Sequence, residues 1–210
     1  MHRRRFLSAA AAGSVSLLAP NAITAANAAS ARRVFRSSEA VAQAARLAPR
    51  ALAALDRHAA AIPNTDVVGI VDFAEPSAER RFHLLEVASG LLIASELVAH
   101  GKGSDPENTG WLERFSNEPG SYASCRGSFV TGELYEGEHG LSRRLIGLDQ
   151  QNSLALSRGI VIHAAAYVDP RVARSAERVG RSQGCFAVSR QALNTIVNCL
   201  GPGRLLFAWK

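Results

Sequence analysis

Cysteine is scarce in this chain, three residues in 210, too few for the disulfide framework of a small secreted domain. No one sign of charge dominates either. Charged residues make up 20% of the chain and apolar residues 47%, a balance that excludes a disordered polyelectrolyte. Aromatics are few, at 6%, and no basic stripe is interleaved with them. Nucleic acid is therefore a poor partner in spite of a formal charge of +6 and a pI near 9.9. The apolar run from Ala9 to Ile23 is broken by Gly13, Ser14, Ser16, Pro20 and Asn21, so it is too short and too polar to span a bilayer stably. The 17 glycines and 8 prolines follow no collagen-like period, and beyond the first thirty or so residues there is neither a repeat nor a low-complexity tract. What remains is one domain of ordinary size with a short terminal extension.

The extension reads as an address. Arg3, Arg4 and Arg5 precede Phe6-Leu7 and the Ala-rich stretch, and Ala26-Asn27-Ala28 is an Ala-x-Ala site. A cationic start, a short apolar region and a small-residue cleavage site are the three parts of a secretory signal. The Arg-Arg-x-Phe-Leu pattern is that of twin-arginine export. The alternative is a lipid-held N-terminal helix, although no Cys stands at the cleavage site to anchor a lipoprotein. The reading divides the chain into a signal at 1–28, a helical lead-in at 29–64 and a main domain at 65–210, with the periplasm or cell envelope as destination. Removal of 1–28 takes away three arginines and no acid, leaving a charge near +3. Such a mildly cationic surface suits an anionic wall polymer.

Past the signal, Ser37 or Ser38 is an N-cap for an Ala- and Leu-rich stretch that Pro49 divides, predicting two short helices at 39–48 and 50–60. Leu47, Leu52, Leu55 and His58-Ala59 form a packing stripe on them. After Pro63-Asn64 the texture turns to strand. Val67 to Phe73 is β-branched, and 81–87 and 91–99 flank Ser89-Gly90 as a hairpin. Short runs separated by Gly120, Gly127, Gly132, Gly137 and Gly140 continue the pattern, and Gly159 to His163 is a buried strand. Ser189 caps a helix to Leu200, with Gly201 and Pro202 beyond it, and 205–209 is a closing strand. The expected architecture is mainly β, a sandwich or partly open barrel with mixed sheet and short helices.

Chemistry concentrates at Gly180-Arg181-Ser182-Gln183-Gly184-Cys185-Phe186. A structural cysteine sits among apolar neighbours, where burial leaves it inert. Cys185 instead follows a glycine, which lets a substrate carbonyl approach and frees amides for an oxyanion, and Arg178 and Arg181 lie just upstream. A nearby guanidinium favours the thiolate. A sulfur nucleophile needs a base, and His163, at the end of a buried strand and before Ala164, Ala165 and Ala166, is the candidate. Spacing does not exclude His83, His100 or His139. The competing reading is a core cysteine and a hydrogen-bonded core histidine.

Ile162-His163, followed about twenty residues later by Ser182-x-Gly184-Cys185, resembles the catalytic signature of the YkuD-type L,D-transpeptidases. Val98-Ala99-His100-Gly101-Lys102-Gly103, Phe115-Ser116-Asn117-x-Pro119-Gly120-Ser121, Val130-Thr131-Gly132-Glu133, Gly140-Leu141-Ser142, Gly147-Leu148 and Gly180-Arg181-Ser182 are similar to its murein L,D-transpeptidase branch, so the resemblance covers about residues 65–209. It implies a β-sandwich-like mixed sheet with the cysteine in a cleft, and a reaction on peptidoglycan stem peptides. Cys185 would attack the carbonyl between the third and fourth stem residues, release the terminal D-amino acid, and pass the thioester to an amine of another stem as a 3→3 cross-link. His163 would be general base and acid, and the Gly184 and Cys185 amides the oxyanion donors; no metal or organic cofactor is implied. Hydrolysis of the same thioester would make an L,D-carboxypeptidase or amidase, and loss of turnover a wall-binding protein.

The chain also departs from the broader family pattern. Gln183 stands where that pattern has His, Ala187 where it has Arg, and Ala164 where it has Gly; Phe186 stands where the branch has Pro. Arg181 is the candidate to replace the missing guanidinium. Ser182, Ser142, Arg143, Tyr135 and Tyr167 are candidate cleft residues, and His100 with Lys102 either contacts an anionic substrate or forms a turn. The group that orients His163 is not identifiable at this level; a backbone carbonyl and a side chain are both open. Cys125 and Cys199 are available to pair in an oxidising compartment.

Overall fold

The structure, a computed structural model, describes residues 38–210. The expected export signal and the start of the lead-in lie outside them. Helix α1 runs unbroken from Ser38 to Arg57 through Pro49, where the sequence predicted two helices. Proline removes one i→i−4 bond. Pro49 and Ala45, whose carbonyl loses that bond, are both exposed, so the freed carbonyl faces solvent while the opposite face keeps the helix continuous. That face is Leu47, Ala51, Ala54 and Leu55, packed on Val68, Ile70, Leu205 and Phe207. Leu52, expected in the stripe, is exposed. His58, also expected there, instead bonds the Asp149 carboxylate at 3.1 Å.

Eight strands form one mixed sheet: β1 Val67–Asp72, β2 Arg80–Glu86, β3 Leu92–Leu97, β4 Gly127–Gly137, β5 Gly140–Gly147, β6 Val161–Ala164, β7 Phe186–Val188 and β8 Leu205–Trp209. Their spatial order is β3-β2-β1-β8-β4-β5-β6-β7. The β1–β8 and β6–β7 pairs are parallel and the others antiparallel. Strand β8, last in the chain, is thus central in the sheet. Its residues alternate between two cores: Leu205 and Phe207 meet α1, while Leu206 and Ala208 meet the helix on the other face. That helix, α3, spans Arg190–Cys199. Ser189 caps it by accepting the Ala192 N–H at 3.2 Å, as the sequence predicts. A short helix absent from the sequence reading, α2 (Pro170–Ala176), starts on an Asp169 cap with Pro170 in its first position.

The sheet nearly closes on itself. Just past the edge strand β3, Val98 bridges Val188 of the opposite edge strand β7, and the Ala99 N–H donates to the Ala187 carbonyl at 2.8 Å. The mainly β class holds, in the form of a curled single sheet. No helix among the described residues is long and apolar enough to cross a membrane.

Candidate active site

Parallel pairing of β6 and β7 puts His163 opposite Ala187, and Cys185 directly precedes β7. Nucleophile and base candidates, twenty-two residues apart in sequence, therefore share one end of adjacent strands. Both line a cavity of about 310 Å³, together with Tyr167, Arg181 and His139. Cys185 also borders a second cavity of about 440 Å³, with Gly159, Arg158, Tyr122 and again His139.

His163 Nδ1 lies 2.9 Å from the Ala164 carbonyl oxygen. A carbonyl only accepts, so Nδ1 carries the proton and Nε2 keeps its lone pair. The orienting group left open by the sequence is this backbone carbonyl. Burial holds His163 below the ordinary imidazole range, opposed by the bond to Ala164 and assisted by His139. Burial also raises the Cys185 thiol; the Val161 backbone N–H and then Arg158 act in the opposite direction. The thiol donates to the Gly159 carbonyl at 3.5 Å. The cavity thus holds an uncharged thiol and an uncharged imidazole, and transfer of the thiol proton to such a ring would make a sulfur nucleophile. Burial, then Cys185, pushes the Tyr167 phenol up to about 12.

The loop before Cys185 is held from both sides. Ser182 Oγ accepts the Gly184 N–H at 3.1 Å and donates to the Cys185 carbonyl at 2.7 Å. Ser182 therefore shapes the loop. It also commits the Gly184 amide, which corrects the expectation that this amide awaits an oxyanion. Gly184 adopts φ +119°, in the region that favours glycine, and its carbonyl accepts from Ser124 Oγ at 3.1 Å.

One arginine expectation is also corrected. Arg143 lies next to Ser142, the residue paired with His163 on β5, but strand alternation turns it to the other face. It is buried there and donates to the carbonyls of Gly132 and Val197 at 2.9 and 2.8 Å, away from both cavities. Ser142 is buried and donates to the Gly140 carbonyl at 2.9 Å. Arg181 does line the smaller cavity, but its guanidinium donates to the carbonyls of Asp105 and Pro106. The cation acting on Cys185 is Arg158, which also donates to the carbonyls of Ser116 and Ala123 at 2.8 and 2.6 Å.

A model of the L,D-transpeptidase catalytic domain family matches residues 39–209. The chain belongs to that family. The L,D-transpeptidase from Mycobacterium smegmatis is 12% identical with a TM-score of 0.43, over 69% of this chain and 59% of that one. The L,D-transpeptidase of Xylanimonas cellulosilytica DSM 15894, residues 123–326, is 19% identical with a TM-score of 0.42, over 75% of this chain and 68% of the other. The L,D-transpeptidase LdtMt1, solved in complex with imipenem, is 12% identical with a TM-score of 0.42, over 69% and 59%. This chain thus spans about three-fifths of the length of the mycobacterial relative. No curated protein matches the sequence.

In this L,D-transpeptidase domain the His100-Gly101-Lys102 segment leads into a short 3-10 turn, Lys102–Ser104, and is tied to the loop before Cys185. Gly101 forms a parallel bridge with Ser182, flanked by the Ser182 N–H donating to the His100 carbonyl at 2.9 Å and the Lys102 N–H to the Ser182 carbonyl at 2.8 Å. The His100 ring is buried beneath: Arg81 Nη2 donates to its Nδ1 at 2.9 Å, and its Nε2–H donates to Asp105 at 3.2 Å. Lys102 lies over the Tyr122 ring at 4.2 Å. All three cysteines are free thiols, with Cys125 buried and Cys199 half-buried. Tyr135 lies on the β4–β5 hairpin under Arg144. Two cavity residues carried little or no signal in the sequence. Arg158 follows an unremarkable Leu-Ser stretch and carried no signal. His139 was only one of three histidines that spacing left open.

Proposed function

We propose that this chain is an exported peptidoglycan L,D-transpeptidase acting on stem tetrapeptides by cysteine acyl transfer. The observation that carries the reading is the cavity shared by the Cys185 thiol and a His163 imidazole whose Nδ1 is tied to a carbonyl, inside the region matched by the family. His163 Nε2 takes the Sγ proton as sulfur attacks the carbonyl of the third stem residue. The tetrahedral oxyanion is received by the Cys185 amide, since the Gly184 amide is bonded to Ser182. Collapse breaks the peptide bond, His163 returns the proton to the departing D-Ala amine, and a thioester remains on Cys185. An amine from a second stem then attacks the thioester, and His163 takes the proton of that amine and hands it to sulfur.

The second cavity favours transfer over hydrolysis. Cys185 borders both spaces, so a donor stem in one leaves the other open to an acceptor. Pure protein incubated with a disaccharide-tetrapeptide tests this by mass. A cross-linked dimer is expected; loss of D-Ala without dimer would assign a carboxypeptidase, and unchanged substrate a binding protein. Export rests on the Arg3-Arg4 pattern. Changing both to Lys should retain the precursor inside the cell, and normal export of that variant would refute the twin-arginine route.

A further inference from the structure

The β4–β5 hairpin ends in a two-residue turn, Glu138-His139, between the paired glycines Gly137 and Gly140, the latter at φ +74°. Lower in the hairpin the register slips by one residue between Thr131 and Leu134, a bulge of the kind that sharpens local twist and re-aims a strand. The tip is firmly built: the Tyr135 ring packs on Gly137 and lies 4.1 Å beneath the Arg144 guanidinium. It delivers the His139 ring onto the His163 ring, with centroids 4.4 Å apart and planes 24° from parallel. His139 lines both cavities, yet it is exposed. Such a placement has no evident use for stability.

It does have a use for the base. The bond from His163 Nδ1 to the Ala164 carbonyl pins one ring atom but leaves the plane able to swing about that contact. A flat partner against the ring face removes that freedom. We propose that His139 is a positioning residue, which by stacking on His163 fixes the imidazole plane so that Nε2 meets the Cys185 thiol. The proposal rests on the Cys185–His163 reading above. His139 also opposes protonation of His163, in the same sense as burial does. The other ionisable groups around the two rings are Glu138 beside His139, Cys185 in both cavities, Tyr167 and Arg181 in the smaller, and Tyr122 and Arg158 in the larger.

The test compares His139→Ala and His139→Phe in the full chain, with Cys185→Ala and His163→Ala as references, by mass-detected adduct formation with imipenem over a concentration series. His139→Ala is expected to lower the maximal acylation rate about tenfold, the scale of a lost aromatic contact expressed in the transition state, with little change in the half-saturating concentration. His139→Phe, which keeps the flat face and drops the ring nitrogens, is expected to recover most of that rate. The midpoint of the acid limb should move up in the Ala variant, where an imidazole opposing protonation is gone. A wild-type rate in His139→Ala would overturn the proposal, and so would a Phe variant as slow as Ala. Adduct on Cys185→Ala, or a wild-type rate in His163→Ala, would overturn the catalytic pair itself, which is a separate failure.

Discussion

The backbone of Gly101 lies directly against that of Gly184. A Cβ on Gly101 would stand 2.8 Å from both the N and the Cα of Gly184, and 2.2 Å from the Tyr122 carbonyl oxygen. The Gly101 N–H donates to Ser124 Oγ, whose hydroxyl in turn donates to the Gly184 carbonyl. One residue without a side chain thus holds the loop that carries Cys185. Gly101→Ala should force these backbones apart at a cost of about 1–3 kcal/mol, seen as a melting point several degrees lower. Adduct formation should slow by roughly tenfold or more, since small misplacements of a nucleophile are costly. An unaltered adduct rate would show that the loop tolerates the shift.

Cys185 and His163 should behave as one unit. Either Cys185→Ala or His163→Ala should abolish nearly all turnover, and the double variant should lose little more. Residual acylation in His163→Ala should rise with pH as thiolate accumulates. Additive losses in the double variant would show two independent roles.

The pH profile follows from the two shifts. His163 is held below its ordinary value, so it stays neutral and able to accept a proton at lower pH than a free histidine. The acid limb of kcat/KM should therefore fall below the ordinary imidazole range. The Cys185 thiol is raised, so iodoacetamide labelling in the absence of substrate should be slow near neutrality and rise through the alkaline range. Cys125, fully buried and pushed up to about 11, should label more slowly still. Arg158→Gln should retard Cys185 labelling further, because Arg158 is the cation that favours its thiolate. Peptide mapping reads all three rates.

His83 and His100 should make the fold acid-sensitive. Both are buried, and burial first, joined at His100 by Arg81, pushes them down to about 4. In the unfolded chain they titrate near 6.5, so between about pH 6.5 and 4 the unfolded state binds the extra protons. The stability that each neutral ring contributes is complete above about pH 6.5 and is lost toward pH 4, on the order of 3 kcal/mol apiece. Urea unfolding at about pH 7 and about pH 4.5 should show the drop. Replacing His83 with Leu together with its hydroxyl partner, Ser95→Ala, should remove about half of it and leave the His100 share. An unchanged slope would mean that other groups set the acid limit.

Helix α1 offers a pair of opposite changes. Leu47→Ala removes a buried contact to the sheet and should cost about 2–5 kcal/mol. Pro49→Ala restores an N–H on an exposed face and should add about 1–3 kcal/mol. Thermal melts of the two variants should move in opposite directions, and a loss in Pro49→Ala would mean that the proline shapes the helix.

Much of this protein was legible in local pattern. Alternating and continuous apolar runs marked β1, β2, β3, β6 and β8, because a strand presents successive residues to opposite faces whatever it pairs with. Ser189 and Gly201 bounded α3, because caps satisfy backbone groups within one turn. A glycine-flanked Cys185 and a strand-ending His163 stood out for their neighbours alone. Pairing and packing decided the rest. Arg143, Arg158 and Arg181 are the same residue type in sequence, yet one is turned to the far face by strand alternation, one lends its charge to the cavity of the thiol, and one is taken up by carbonyls of a distant loop. The Gly184 amide looked free until Ser182 folded back on it, and His139 looked like any surface histidine until a bulged hairpin brought it onto His163. Pro49 looked like a helix break because propensity counts one lost bond, whereas the folded helix weighs that bond against an entire buried face. Residue type and spacing determine which groups a segment offers; which partner each group meets is settled by strand order and register, which bring together residues far apart in the chain.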